Sequence, residues 1–132
     1  MKTSQLKSFF AFLLLAAVTF TSCKKDDPQT QQSDPMVGIW DGKYAAGQGE
    51  PNTQYTFKLN ANGTMQILDF DKTVLGSGTW SLNETTFTGK YTYELGGNFS
   101  MVAKYDAAAK TLTGSWGEDQ STGDGTFFLK KQ

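Results

Sequence analysis

The sequence predicts an all-β domain over residues 36–132, an eight-stranded antiparallel up-and-down β-barrel. Three observations carry that expectation. From Val37 onward, apolar and polar residues alternate in short runs, the period of a strand with one buried face. Turn residues interrupt the runs every eight to thirteen positions, the spacing of sandwiches and barrels. The connections are too short for crossover helices, and a meander of eight strands most economically removes both of its edges by closing on itself.

In chain order, "GIWDGKY" (38–44) sets Gly38, Trp40, Gly42 and Tyr44 on one face, and "QYTFKLN" (54–60) does the same for Tyr55, Phe57 and Leu59. "TMQILDFD" (64–71) is ambiguous, because Met65 and Ile67 compete with Leu68 and Phe70 for the inside. "VLGSGTWSL" (74–82) aligns Val74, Gly76, Gly78, Trp80 and Leu82. The clearest alternation is "TFTGKYTYE" (86–94), with Phe87, Gly89, Tyr91 and Tyr93 opposite three threonines, a lysine and a glutamate. "NFSMVAKYD" (98–106) points Phe99, Met101, Ala103 and Tyr105 inward, "TLTGSWGE" (111–118) points Leu112, Gly114 and Trp116, and "GTFFLKK" (125–131) points Phe127 and Leu129. Phe70 and Phe128 fall on the outer face. Each tryptophan follows a glycine by two residues, in "GIW", "GTW" and "GSW", so glycine and indole share a face. The glycine either leaves room for the ring or permits tight coiling of the strands.

The ends of the chain have a different character. Lys2 and Lys7 precede an uncharged, mostly apolar run from Phe9 to Phe20, which reads as an export signal over residues 1–22. As a helix the run would reach only about 18 Å, short of a ~30 Å hydrocarbon core. Residues 24–35, "KKDDPQTQQSDP", contain no apolar side chain and have the composition of a flexible tether.

Composition narrows the chemistry. Without Lys2 and Lys7, ten lysines face thirteen acidic residues, a net charge near −3, and the chain has no arginine and no histidine. A nucleic-acid partner is disfavoured for want of a basic stripe. The single thiol, Cys23, has no histidine to activate it, and no serine lies in a nucleophile elbow, so an enzyme is not expected. Asp41, Asp69 and Asp71 are carboxylates whose linear spacing does not set two across a substrate. "GEDQSTGDG" (117–125) carries three acids but lacks the spacing of a calcium loop, so neither a metal nor a cofactor is expected.

Three segments resemble known families. "FTSC" (20–23) is similar to the lipobox of bacterial lipoproteins, with Phe20 in place of the usual leucine; the resemblance implies lipidation of Cys23 as the new N-terminus and a membrane anchor. "KKDD" (24–27) resembles the short export tags of some Gram-negative groups, which implies a lipid-anchored outer-membrane protein displayed at the cell surface rather than in the periplasm. "VGIWDGKY" (37–44) resembles the G-x-W signature that opens lipocalins and other calycins. That resemblance implies a short lipocalin-like barrel, with Gly38 and Trp40 at its floor. The later lipocalin signatures are missing, as is the arginine that would stack on Trp40. The "GTW" and "LTGSW" strands also resemble avidin-like barrels.

In such a meander the connections after strands one, three, five and seven share a rim, which gathers the longest ones, 45–53 and 117–125, at the mouth. Small barrels bind ligands there, and the candidate lining residues are Tyr44, Tyr55, Trp80, Tyr91, Tyr93, Tyr105 and Trp116. Eight strands also enclose an interior that side chains alone can fill. Two readings therefore stand. One is a module binding a small apolar or amphipathic molecule, or a sugar, at its mouth. The other is a filled barrel that contacts an envelope protein as an accessory or inhibitor.

Overall fold

Eight strands form from the eight alternating runs: β1 (Gly38–Ala46), β2 (Thr53–Leu59), β3 (Thr64–Leu68), β4 (Val74–Asn83), β5 (Thr86–Tyr93), β6 (Asn98–Asp106), β7 (Thr111–Glu118) and β8 (Gly125–Lys131). The computed structural model describes residues 34–132; the expected signal segment, Cys23 and the greater part of the tether lie outside the described residues. Each strand pairs antiparallel with its successor, and β8 returns to β1 with Trp40 opposite Lys131 and Ala46 opposite Gly125. The sheet is a closed up-and-down barrel, without a free edge.

Strand direction defines two ends. β1 starts at the closed end, where the turns 60–63, 84–85 and 107–110 lie; loops 47–52, 69–73, 94–97 and 119–124 surround the mouth. The segment Asp34–Val37 seals the closed end. Met36 is fully buried, its amide bonds the Asp34 carboxylate at 2.9 Å, and its carbonyl accepts the indole N–H of Trp40 at 2.8 Å. Lys131 reaches across to the Pro35 carbonyl at 2.7 Å. Above this plug, Trp40, Leu59, Met65, Phe87, Met101, Leu112 and Leu129 fill the barrel, followed by Phe57, Ile67 and Phe127. Among the described residues no buried side-chain polar atom lacks a hydrogen-bond partner.

The ambiguous third run resolves through a bulge. Ile67 pairs Gly76 but Leu68 pairs Val74, so Leu75 is an extra residue in β4. Met65 and Ile67 take the inside. Leu68, opposite the outward Thr56, is nevertheless buried, while Phe70 lies in the mouth loop and is 75% exposed. Thr56, also buried on the outer face, satisfies its hydroxyl by donating to Asp41 at 2.6 Å.

Two of the three glycines beside the tryptophans, Gly78 and Gly114, serve strand approach. A Cβ on Gly78 would strike the Lys90 carbonyl of β5, and one on Gly114 the Val102 carbonyl of β6. Tight coiling, not room for the indole, is what these positions require. The glycine that makes room for an indole is Gly125 on β8, where a Cβ would collide with the pyrrole edge of Trp116 and with the Ala45 carbonyl.

Candidate functional site

The barrel is filled from its closed end to about the level of Phe57 and opens above it. At the mouth a half-open cavity of about 220 Å³ is lined by Tyr44, Tyr55, Tyr91, Tyr93, Phe99, Trp116 and Glu118. The alternation explains each position. Tyr44 lies near the mouth end of β1, Tyr55 near the start of β2, Tyr91 and Tyr93 at the end of β5, Phe99 at the start of β6, and Trp116 and Glu118 at the end of β7. All are inward residues of the last turn of sheet before a mouth loop.

Aromatic edges and faces interlock around the opening. Tyr44 meets Trp116 at 88° with centroids 5.6 Å apart, Tyr93 meets Phe99 at 81° and 5.5 Å, and Phe99 meets Trp116 at 54° and 5.9 Å. Phe99 also stacks on Tyr91 at 16° and 5.4 Å. These edge-to-face and stacked arrangements suit the ring quadrupoles. The indole N–H of Trp116 donates to the Ala45 carbonyl at 3.0 Å, which pins the ring's edge to β1.

The cavity base is polar. The hydroxyls of Tyr55 and Tyr91 are hydrogen-bonded to one another, and Tyr91 interacts in turn with Tyr93. Burial pushes the Tyr55 phenol well above its ordinary range, with the neighbouring Tyr91 adding to the effect. Burial likewise raises Tyr91 and Tyr93. All three remain neutral hydrogen-bonding groups at physiological pH.

Of the seven candidate lining residues, five meet at this cavity: Tyr44, Tyr55, Tyr91, Tyr93 and Trp116. Trp80 and Tyr105 do not, because both stand near the closed end. Trp80 donates its N–H to the Asn60 carbonyl at 3.1 Å and stacks on Phe87; Tyr105 packs edge-on against Trp40. β4 and β6 run from mouth to floor, so residues late in them are remote from the opening. Phe99 and Glu118 complete the lining. Their signal was present in the same pattern, since Phe99 is the first inward residue of β6 and Glu118 follows Trp116 by two.

Three carboxylates of the mouth loops are engaged in local structure. Asp69 and Asp71 accept amides of their own loop, from Phe70 at 2.7 Å and Thr73 at 2.8 Å. Asp124 closes the 119–124 loop by accepting from the Glu118 amide at 2.8 Å and the Ser121 hydroxyl at 3.2 Å. Among the described residues no three His, Cys, Asp or Glu side chains are grouped to hold a metal.

Outside the cavity, Phe70 on the loop before β4, Leu75 at the bulge near the start of β4, at 37% exposure, and the fully exposed Leu95 on the loop after β5 stand on one side of the mouth. β3 ends at Leu68, so residues 53–55 of β2 have no partner in β3. A cleft of about 60 Å³ lies at this seam, lined in part by Phe70 and Leu75, and it shares Tyr55 and Tyr93 with the mouth cavity. Phe128, the other exposed large apolar residue, is apart from this group on β8, paired with Lys43 of β1.

Searches against protein-family models, curated proteins and solved structures find no match to this chain.

Proposed function

We propose that the chain is a lipid-anchored lipoprotein with a small lipocalin-like barrel, which binds a small molecule at its mouth and carries out no chemistry on it. The observation that supports this reading is the half-open, aromatic-lined cavity of about 220 Å³ above a filled core. A barrel that served only as a solid scaffold would gain stability by filling that space, as its closed end does. The volume restricts the ligand, since an apolar cavity of about 150 Å³ is enough for benzene. One ring or one compact branched group fits; a buried long acyl chain does not. The anchor is proposed at Cys23, from the lipobox resemblance, with surface display from the "KKDD" that follows. Because the chain reaches β1 at the closed end, such an anchor would leave the mouth facing away from the membrane.

Native mass spectrometry of the purified chain after incubation with a lipid and oligosaccharide extract tests the binding reading. A retained small mass, with a shift in tryptophan emission, is expected; no adduct with unchanged emission would remove it. The anchor is tested by Cys23→Ala, which should move the protein out of the membrane fraction without lowering its melting temperature. Exposed Phe70, Leu75 and Leu95 support a second reading, that the mouth rim contacts an envelope protein.

A further inference from the structure

The mouth cavity combines three features that bear on the charge of its ligand. First, six of its seven lining residues are aromatic, and Tyr44, Tyr93, Phe99 and Trp116 meet one another at steep angles around one space. Ring faces carry the negative end of the aromatic quadrupole and attract cations. Second, the seventh residue is Glu118, an exposed carboxylate at the rim, and no lysine lines the cavity. With the chain free of arginine and histidine, the described lining has no cationic group to pair with a carboxylate, sulfate or phosphate.

Third, the charge on the mouth is one-sided. Its loops and adjoining strand ends carry Glu50, Asp69, Asp71, Glu94, Glu118, Asp119 and Asp124 against Lys43 and Lys72, seven acids to two bases. At the closed end Asp34, Glu84 and Asp106 are outnumbered by Lys58, Lys104, Lys110, Lys130 and Lys131. The negative field therefore belongs to the opening, where it raises the local concentration of cations.

We infer that the mouth cavity is an aromatic cage for an organic cation, an alkylated ammonium group whose substituents rest against Tyr44, Tyr93, Phe99 and Trp116 while Glu118 balances its charge. Alkyl substitution matters on two grounds. A methylated or quaternary ammonium is weakly hydrated and costs less to transfer onto rings than a bare ammonium, and its bulk suits a cavity somewhat larger than benzene requires. Tyr55 and Tyr91, already bonded to each other, form an uncharged floor that leaves the cation no competing base.

This inference rests on the small-molecule reading above, and the test separates the two. The full chain is titrated at low salt with tetramethylammonium and choline, and with 3,3-dimethylbutan-1-ol, the uncharged carbon counterpart of choline. Tryptophan emission is followed, with Trp116→Phe assigning the signal, since Trp40 and Trp80 are remote from the cavity. The charged probes should saturate the signal and bind about tenfold tighter than the neutral one, a preference of the size expected for a partly desolvated cation on rings. Added sodium chloride should weaken them, because the carboxylate is exposed and screened. Glu118→Gln should weaken them about threefold, and Phe99→Leu, which keeps apolar bulk but removes a ring, should weaken the cations while sparing the alcohol.

Equal affinity for choline and its neutral counterpart would overturn the cation assignment and leave a neutral-ligand cavity standing. So would silence toward all three probes from a protein that still retains a small mass from the extract. If nothing is retained from any source, both the cage and the small-molecule reading fall.

Discussion

The two ends of the barrel are made of similar parts and finish differently. Each has a tryptophan whose N–H is tied to a backbone carbonyl and a tyrosine packed against it at a steep angle: Trp40 with Met36 and Tyr105 at the floor, Trp116 with Ala45 and Tyr44 at the mouth. At the floor a short segment ahead of β1 drops Met36 onto the indole and excludes water. At the mouth the 119–124 loop turns to its own carboxylate, Asp124, and Trp116 stays half-buried, bordering the cavity. The sealed end thus has an apolar cover, Met36, that the open end lacks. Charge follows the same division, with more lysines than acids at the floor and a strong excess of acids at the opening.

The largest effect expected from breaking this comparison is at the floor. Trp40→Ala removes a fully buried indole and strands the Met36 carbonyl, which should cost about 3–5 kcal/mol. Trp116→Ala removes a half-buried ring bordering open space and should cost about 2 kcal/mol while abolishing the ligand-dependent emission change. Urea unfolding of the two variants is the measurement. Equal losses would mean that the mouth is packed as a core, and that the cavity contributes nothing but slack.

Alkaline titration separates the ends in another way. An unfolded phenol ionises near pH 10, whereas burial holds those of Tyr55 and Tyr91 above that, so the native barrel keeps protons that the unfolded chain gives up. Stability should be level below about pH 9 and fall as the pH rises past 10, by as much as about 1.4 kcal/mol per pH unit for each phenol still protonated in the native state. Urea midpoints between pH 8 and 11.5, with phenolate absorbance recorded alongside, give the slope. Tyr91→Phe should lessen it; an unchanged slope would place the titrating group elsewhere.

Tyr55→Phe is a finer probe of the cavity base. It deletes one of two mutually bonded hydroxyls while keeping the ring packing against Phe57 and Phe127, so about 1 kcal/mol should be lost. A stabilised variant would show that the phenol pair is retained for the cavity's contents rather than for the fold.

How far these features could be read from sequence depends on which physical rule produces them. Period-two alternation turned Trp40, Phe57, Phe87 and Phe127 inward without ambiguity, and the parity of the connections gathered the mouth loops. Direction along the strand was equally available, yet choosing lining residues by aromaticity alone admitted Trp80 and Tyr105 and passed over Phe99 and Glu118. The bulge at Leu75 was not legible, because it is a shift of register between β3 and β4 that the alternation within either run does not encode. For the same reason Gly125 gave no sign that it makes room for Trp116, a residue one strand away.

The smallest expected effect is at the rim, where the comparison is least symmetric. Phe70 stands in a loop, 75% exposed, beside the seam left where β3 stops short of β2's first residues. Exposed positions away from caps and networks change stability by only about 0.5 kcal/mol either way, so Phe70→Ser should leave the urea midpoint nearly unmoved. If it does, the apolar rim is not part of what closes the barrel, and its exposure answers to something outside the chain. A loss of 1 kcal/mol or more would mean instead that the ring closes the seam over Tyr55 and Tyr93 in solution. The mouth would then possess the beginnings of the cover that Met36 gives the floor.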